Sequence, residues 1–387
     1  MAQRIAVIPG DGIGPEVARV GVRLLLRLAE LCGLSLQFDW FDFGAERYLL
    51  DGTILPDGFM DTLRRDYATV YFGAVGDPRV PGNEHAKGIL LAMRFELDLY
   101  INLRPCHLLD DRLSPLKGKG RRELDFVVVR ENTEGLYTGA GGTFKKGTPD
   151  EIAQEVEINT RKGVERICEA AFAIAEANGK KRVCMADKSN VLLHGHGLWR
   201  RVFAEVARRH PQAQAKAMFV DALAMDLVRQ PEAYDVIVTN NLFGDILTDL
   251  GAALTGGLGL AASGNIHPGQ VSLFEPVHGS APDIAGQGTA NPLAMVLSGA
   301  LMLEHLGHPA EARLIEEAVR QQVAEGAHTP DLVPMLGGPA ATTEQVADEL
   351  MGRLEQLVTA PAGASGSTPR PARTSSGPKG PAASRRR

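Results

Sequence analysis

Cysteine is scarce in this chain. Its 387 residues hold four (Cys32, Cys106, Cys168 and Cys184), scattered and without a CxxC pair. That argues against a disulfide framework and against a cysteine-built zinc site, and it fits reduced thiols in a cytoplasm. Long apolar runs are missing as well; none reaches the ~18 residues of a membrane span. The opening MAQRIAVIPGDG lacks an apolar core followed by a cleavage site, which points away from secretion. Positive charge is not in excess. The net charge is −6, so the body of the chain has no general affinity for nucleic acid. No internal repeat is visible. The length suits two domains or one large α/β unit.

What is present alternates. Arg4–Ile8 is a short β-rich run, followed by the glycine-rich turn PGDGIGPE and a helical pattern over Val17–Leu31. Strand, glycine turn and helix suggest a nucleotide fold. Yet Gly10, Gly12 and Gly14 give GxGxG, and the dinucleotide fingerprint needs GxGxxG. A plain strand-to-helix turn and a cofactor loop both fit. Further runs read as strands at Leu34–Phe41, Ala68–Phe72, Asp125–Val129, Arg182–Ala186, Ala217–Val220 and Val236–Thr239. Helical spacing covers Pro56–Asp66, Ile152–Ala177, Leu198–Arg209, Pro292–Leu306, Ala310–Glu325 and Thr343–Leu357. Such alternation argues α/β architecture. Charged residues stand just past several strands, the edge where open α/β sheets bind ligands. Ser272–Gly286, dense in glycine and proline, reads as a long functional loop. Residues 359–387 shift to Pro, Gly, Ser, Ala and Arg and read as a disordered basic tail.

The richest stretch is NNLFGDILTD, Asn240–Asp249. Gly244 permits a turn, and Asp245 then opens a helix with Asp249 one turn on. Two like charges on one face repel. A divalent cation would compensate; a capping Asp245 with a solvated Asp249 is the plainer reading. Asp221, at another strand end, adds a third carboxylate, and oxygen-only ligands suit Mg²⁺ or Mn²⁺ rather than zinc. Arg94, Arg104 and Arg130 stand near apolar segments. Their forked donors would suit a di- or tricarboxylate, or pair with acids nearby such as Glu96 or Glu131. Lys188, at a strand end, is a candidate general base, and Tyr137, in ENTEGLYTG, a candidate proton donor. An ordinary surface lysine and a packed loop tyrosine are the plainer readings. His194 and His196 lack a third ligand nearby, which argues against a metal there.

The motifs NLRP, ENTEGLY, DKSNVL, NNLFGDILTD and FEPVHGSAPDIAG occur in this order. Together they resemble the β-decarboxylating dehydrogenases, the family of isopropylmalate, isocitrate, homoisocitrate and tartrate dehydrogenases, from Arg4 to about Leu357. The resemblance implies an α/β fold of two domains with a large mixed sheet, not the Rossmann fold. Residues 1–104 and 256–358 would form the cofactor-binding domain. Residues 105–255 would carry substrate, metal and dimer contacts. Arg94, Arg104 and Arg130 would hold the carboxylates of a 2-hydroxy acid. Tyr137 and Lys188 would be the acid–base pair. Asp221, Asp245 and Asp249 would bind Mg²⁺ or Mn²⁺, with Asp221 also at the substrate. Lys188 and Asp221 would come from the partner in a homodimer. Neither nucleic acid nor membrane is expected as a partner.

Within that resemblance, HGSAPDIAG is similar to the family's cofactor loop. Glu275, His278, Gly279, Ser280, Ala281, Asp283, Ile284 and Asn291 would line it. Asp283 stands where NAD-dependent members carry an acid, which accepts hydrogen bonds from ribose hydroxyls and repels a 2′-phosphate. NAD is therefore expected. Leu90, Leu91 and Val191 offer an apolar lining for an isopropyl group, worth ~0.8 kcal/mol per buried CH₂. Isocitrate enzymes carry Ser and Asn where this chain has Gly88 and Leu90. The expected reaction is NAD-dependent oxidative decarboxylation of 3-isopropylmalate, in leucine biosynthesis. Lys87 and the ENTEG loop depart from the usual isopropylmalate pattern and keep D-malate/tartrate or homoisocitrate as the alternative.

Overall fold

Ile5 to Ile8 illustrate how the chain builds its core. Ile5 and Val7 join the larger hydrophobic cluster, while Ala6 and Ile8 join a smaller one. Successive strand residues face opposite sides, so a continuous apolar run serves a strand covered on both faces. The computed structural model describes residues 2–360. The tail expected beyond the last helix, from residue 361 on, lies outside the described residues.

Among the described residues the strands are, in chain order, β1 (Gln3–Gly10), β2 (Leu36–Trp40), β3 (Thr69–Ala74), β4 (Ile101–His107), β5 (Asp125–Glu131), β6 (Gly141–Phe144), β7 (Ile152–Glu155), β8 (Arg182–Asp187), β9 (Gln214–Phe219), β10 (Val236–Thr239), β11 (Ala262–Ile266) and β12 (Ser272–Pro276). Ten form one mixed sheet in the order β2-β1-β3-β12-β11-β4-β5-β10-β8-β9. One wing, β2 to β12, is parallel. The other, β5 to β9, is parallel too. Between them β11 is antiparallel to β12 and β4, and β4 to β5. The two wings therefore point opposite ways. This is the large mixed α/β sheet expected, not a Rossmann sheet.

Helices cover the sheet. Gly14–Cys32 starts with Pro15 in its first turn and ends at Gly33, whose φ of 72° suits a left-handed C-cap. Leu293–His305 is buried from Leu293 to Leu303 except at Leu297, as a helix inside the core must be apolar all round. Thr343–Thr359 opens with a capping box between Thr342 and Gln345.

Two expectations fail. The helical pattern over Ile152–Ala177 splits: Ile152–Glu155 is β7, paired with β6 in an exposed hairpin, and the helix is Arg161–Ala177. Thr160 starts that helix by accepting a hydrogen bond from the Gly163 N–H at 2.9 Å. Over four residues, strand and helix periodicities are not distinguishable. Ser272–Gly286 is not one loop either, since Ser272–Pro276 is the buried strand β12 and only the remainder turns.

Candidate active site

The helix after β10 runs over Asn241–Leu254, earlier than expected. Asn240 caps it, accepting from the Phe243 N–H at 2.9 Å. Asp245 therefore lies inside the helix and does not open it, and Gly244 makes no turn. Gly244 is required for space: a Cβ there would come within 2.4 Å of the Arg130 side chain. Asn241, Asp245 and Thr248 share one helix face, and all three hold arginines. Asn241 Oδ1 accepts from Arg130 Nε at 3.0 Å and Nη2 at 2.7 Å. Asp245 Oδ1 accepts from Arg130 Nη1 at 2.5 Å and Arg104 Nη1 at 3.3 Å. Arg104 Nη1 also donates to Thr248 Oγ1 at 2.6 Å. The Tyr137 hydroxyl donates to Asp245 Oδ2 at 2.8 Å. Arg94 Nη2 donates to Glu275 Oε1 at 2.8 Å, and that same oxygen accepts from Asn265 Nδ2 at 2.8 Å. Asn241 and Thr248 were missed in the sequence, although their helical spacing from Asp245 was legible.

These charges are dry. Arg94, Arg104 and Arg130 are 7%, 6% and 1% exposed. Among the described residues the buried Nε atoms of Arg94 and Arg104 find no hydrogen-bond partner. Unpartnered buried donors are rare, and a carboxylate ligand would supply their acceptors. Burial pushes the Asp245 carboxyl up, but Arg130, Arg104 and the Tyr137 hydroxyl outweigh it and hold it below the usual carboxylate range. Asp249 goes the other way. Partial desolvation and the neighbouring Asp245 charge raise it. Burial and the bond to Asp245 raise the Tyr137 phenol, which keeps it a proton donor. Among the described residues no hydrogen bond or ion pair engages the Asp249 carboxylate. Two carboxylates of one face, one of them unpartnered and raised by the other, fit a hard divalent cation.

A second group stands apart. Lys188 follows the end of β8, and its Nζ pairs with Asp221 Oδ1 in the first turn of the helix Val220–Arg229. That bond lowers the Asp221 carboxyl. Their side chains are 28% and 65% exposed. Asp221 does not join Asp245 and Asp249 within one chain: among the described residues no group of three His, Cys, Asp or Glu could hold a metal. Val191, near Lys188, is exposed and belongs to neither hydrophobic cluster. Leu90 and Leu91 are half-buried on the π-helical turn Lys87–Leu91, just before Arg94. Such turns recur at functional sites. The three apolar residues are thus not gathered into one cluster. His196 is not a metal ligand here; its Nδ1 accepts from the Lys188 N–H at 2.8 Å.

The loop after β12 backs onto the first glycine turn. Ile13 N–H donates to the Ser280 carbonyl at 2.8 Å, and a Cβ on Gly12 would approach that oxygen to 1.9 Å. The GxGxG turn thus packs against the cofactor loop expected downstream. Ala281 adopts a left-handed φ of 41° and Gly279 faces open space. Asp283 and Ile284 are exposed on the short turn Pro282–Ile284. Burial lowers His278, keeping it neutral. Its Nδ1–H donates to the Gly279 carbonyl at 3.0 Å, which leaves the buried Nε2 as an acceptor without a partner. That acceptor and the open glycine fit a nucleotide. Glu275 and Asn291 turn elsewhere, to Arg94 and to Asp331 (2.9 Å) respectively.

Comparison with known proteins agrees with this arrangement. The family model for isocitrate/isopropylmalate dehydrogenase matches residues 4–350. The 3-isopropylmalate dehydrogenase of Streptomyces avermitilis is 49% identical over 352 residues, 90% of this chain and 98% of that protein. That of Thermobifida fusca is 47% identical over 355 residues, 91% of this chain and 98% of that protein. The crystal structure of isocitrate dehydrogenase from Methylococcus capsulatus superposes with a TM-score of 0.81 at 39% identity, covering 92% of this chain and 100% of that one. With the mixed sheet, the buried arginines and the ordered motifs all in place, the chain belongs to the isocitrate/isopropylmalate dehydrogenase family.

Proposed function

We propose that this enzyme oxidises and decarboxylates (2R,3S)-3-isopropylmalate to 4-methyl-2-oxopentanoate and CO₂ with NAD, in leucine biosynthesis. The observation that carries the reading is the set of buried arginines, Arg104 and Arg130 on Asp245 and Arg94 on Glu275, in which the Nε donors of Arg94 and Arg104 lack partners among the described residues. The names of relatives nearly half identical over 90–91% of this chain support the substrate. The arginines hold the two carboxylates of the acid. Lys188 takes the hydroxyl proton. Tyr137, a phenol kept protonated, delivers a proton to the enol carbon after CO₂ leaves. Leu90 and Leu91, joined by Val191 from the Lys188 segment lent by the partner, would receive the isopropyl group. Asp221, Asp245 and Asp249 would hold Mg²⁺ or Mn²⁺, whose fixed charge supplies stabilisation of the developing oxyanion. His278, Gly279 and Asp283 would hold NAD, which would supply the hydride acceptor.

Two further parts belong to the proposal. The cofactor domain comprises 1–104 and 256–358, and 105–255 the other domain. The change of strand direction between the wings supports this division, with its boundary inside β4. The active unit is a homodimer in the cytoplasm, with Lys188 and Asp221 lent to the partner. In support, Val191, Leu193, Met225, Val228 and Ile246 leave large apolar side chains 45–66% exposed near this pair and on the helices carrying the acids. Several large apolar side chains left in solvent on these elements fit an interface. Among the described residues no helix is long and apolar enough to cross a membrane.

A panel of 2-hydroxy acids, run with NAD or NADP and Mn²⁺, tests the reading. 3-Isopropylmalate with NAD is expected to give the highest kcat/KM, and EDTA to abolish turnover. A clear preference for homoisocitrate or D-malate, or for NADP, would reject it.

A further inference from the structure

The chemistry above uses neither His194 nor His196. His194 is exposed, but His196 is 1% exposed and fully engaged. The Lys188 backbone N–H donates to His196 Nδ1 at 2.8 Å. A backbone N–H can only donate, so Nδ1 is the acceptor and the ring proton sits on Nε2. Nε2 faces Glu157 Oε1 at 3.1 Å. The same oxygen accepts from Asn240 Nδ2 at 2.7 Å. Asn240 Oδ1 is in turn the cap of the helix that carries Asp245 and Asp249. The Phe243 ring meets the His196 ring edge-on at 5.3 Å. One unbroken run of hydrogen bonds thus leads from the Lys188 backbone to the first turn of the acid-bearing helix.

We propose that His196 and Glu157 are positioning residues that hold Lys188 and the Asp245–Asp249 helix of one chain in one frame, so that the base lent to the partner's site and the acids kept for the chain's own site stay in a fixed relation. The inference rests on the reading of Lys188 as the base. Neither residue touches the reacting atoms. Removing the imidazole leaves the Lys188 N–H and a Glu157 oxygen short of a partner in a buried place, and both ends of the frame loosen. Outer partners of this kind typically control rate about 10- to 100-fold.

The test compares His196→Ala, His196→Asn, Glu157→Ala and Lys188→Met by steady-state kinetics, with amide hydrogen exchange read in the same proteins. His196→Ala is expected to lower kcat about 10- to 100-fold with little change in KM. His196→Asn, whose Oδ1 can replace Nδ1 as the acceptor, is expected to recover most of that loss. The Lys188 and Phe243 amides should exchange faster together in His196→Ala, although they lie at opposite ends of the frame. A kcat within about twofold of wild type in His196→Ala would overturn the proposal. So would faster exchange at Lys188 with Phe243 unchanged. If His196→Ala does not fold, Glu157→Ala carries the same exchange test. Turnover by Lys188→Met would sink the base assignment instead, a result that the exchange data do not depend on.

Discussion

On the helix Asn241–Leu254, Asn241, Asp245 and Thr248 each bind a buried arginine, and Arg130 is 1% exposed. Past β8, the Lys188 ammonium pairs with Asp221, whose own side chain is 65% exposed, and lies 5.9 Å from the centre of the Phe219 ring. The first group is preorganised: its charges are paired and its rotamers are held by several bonds each. The second is a single ion pair in solvent, and such pairs contribute little by themselves. On the proposed reading, this contrast separates the part of the site finished within one chain from the part completed by a second subunit. It also separates what each half can lose. The arginine half risks stability and substrate affinity together, the lysine half turnover alone.

The largest expected effect comes from the open half. Lys188→Met should cut kcat about 10²–10⁴-fold, with the melting temperature nearly unchanged. Stopped-flow and steady-state assays at saturating Mn²⁺ check it. Arg130→Lys should act on the closed half. A lysine cannot span Asn241 and Asp245 with forked donors, so kcat/KM should drop about 10²-fold and the protein should melt earlier. The two inactive variants then sharpen the contrast between the halves. Mixed and allowed to exchange subunits, they should regain about a quarter of wild-type activity, because half the dimers hold one site with both residues intact. No recovery would place Lys188 and Arg130 in the same chain's site.

The smallest effect concerns pH. The fold raises the Asp249 pKa. A raised carboxylate costs stability above its folded pKa, and that cost disappears below the unfolded value of about 3.9. Asp249→Asn should therefore raise the melting temperature at neutral pH by about 1–2 °C without metal, and only slightly at acid pH. It should also lose the stabilisation that Mn²⁺ gives the wild type. Scanning calorimetry against pH, with and without Mn²⁺, reads both. Asp245 has the opposite sign: its lowered pKa contributes stability that is present above about pH 4 and lost as pH falls through the folded value.

Much of this is legible in the sequence. Val236–Thr239 is β10 residue for residue, because four β-branched residues bounded by polar ones leave few options. The shared face of Asp245 and Asp249 follows from helical spacing alone. The start of that helix was misjudged, since Gly244 signals a turn in sequence and here makes room for Arg130. The pairing of Arg94 with Glu275 joins positions 181 residues apart, which local pattern cannot show.

The α/β alternation, the scarcity of thiols, the inventory of acids and arginines, and the family to which their order points are all readable along the chain. These depend on local propensity and on which side chains exist. Which charges meet depends on the fold. It put Arg104 and Arg130 on one carboxylate, sent Lys188 to Asp221, kept Asp221 away from Asp245 and Asp249, and joined His196 to both halves. Charge pairing depends on distance through space, and distances are set when the wings of the sheet pack, not by neighbours along the chain.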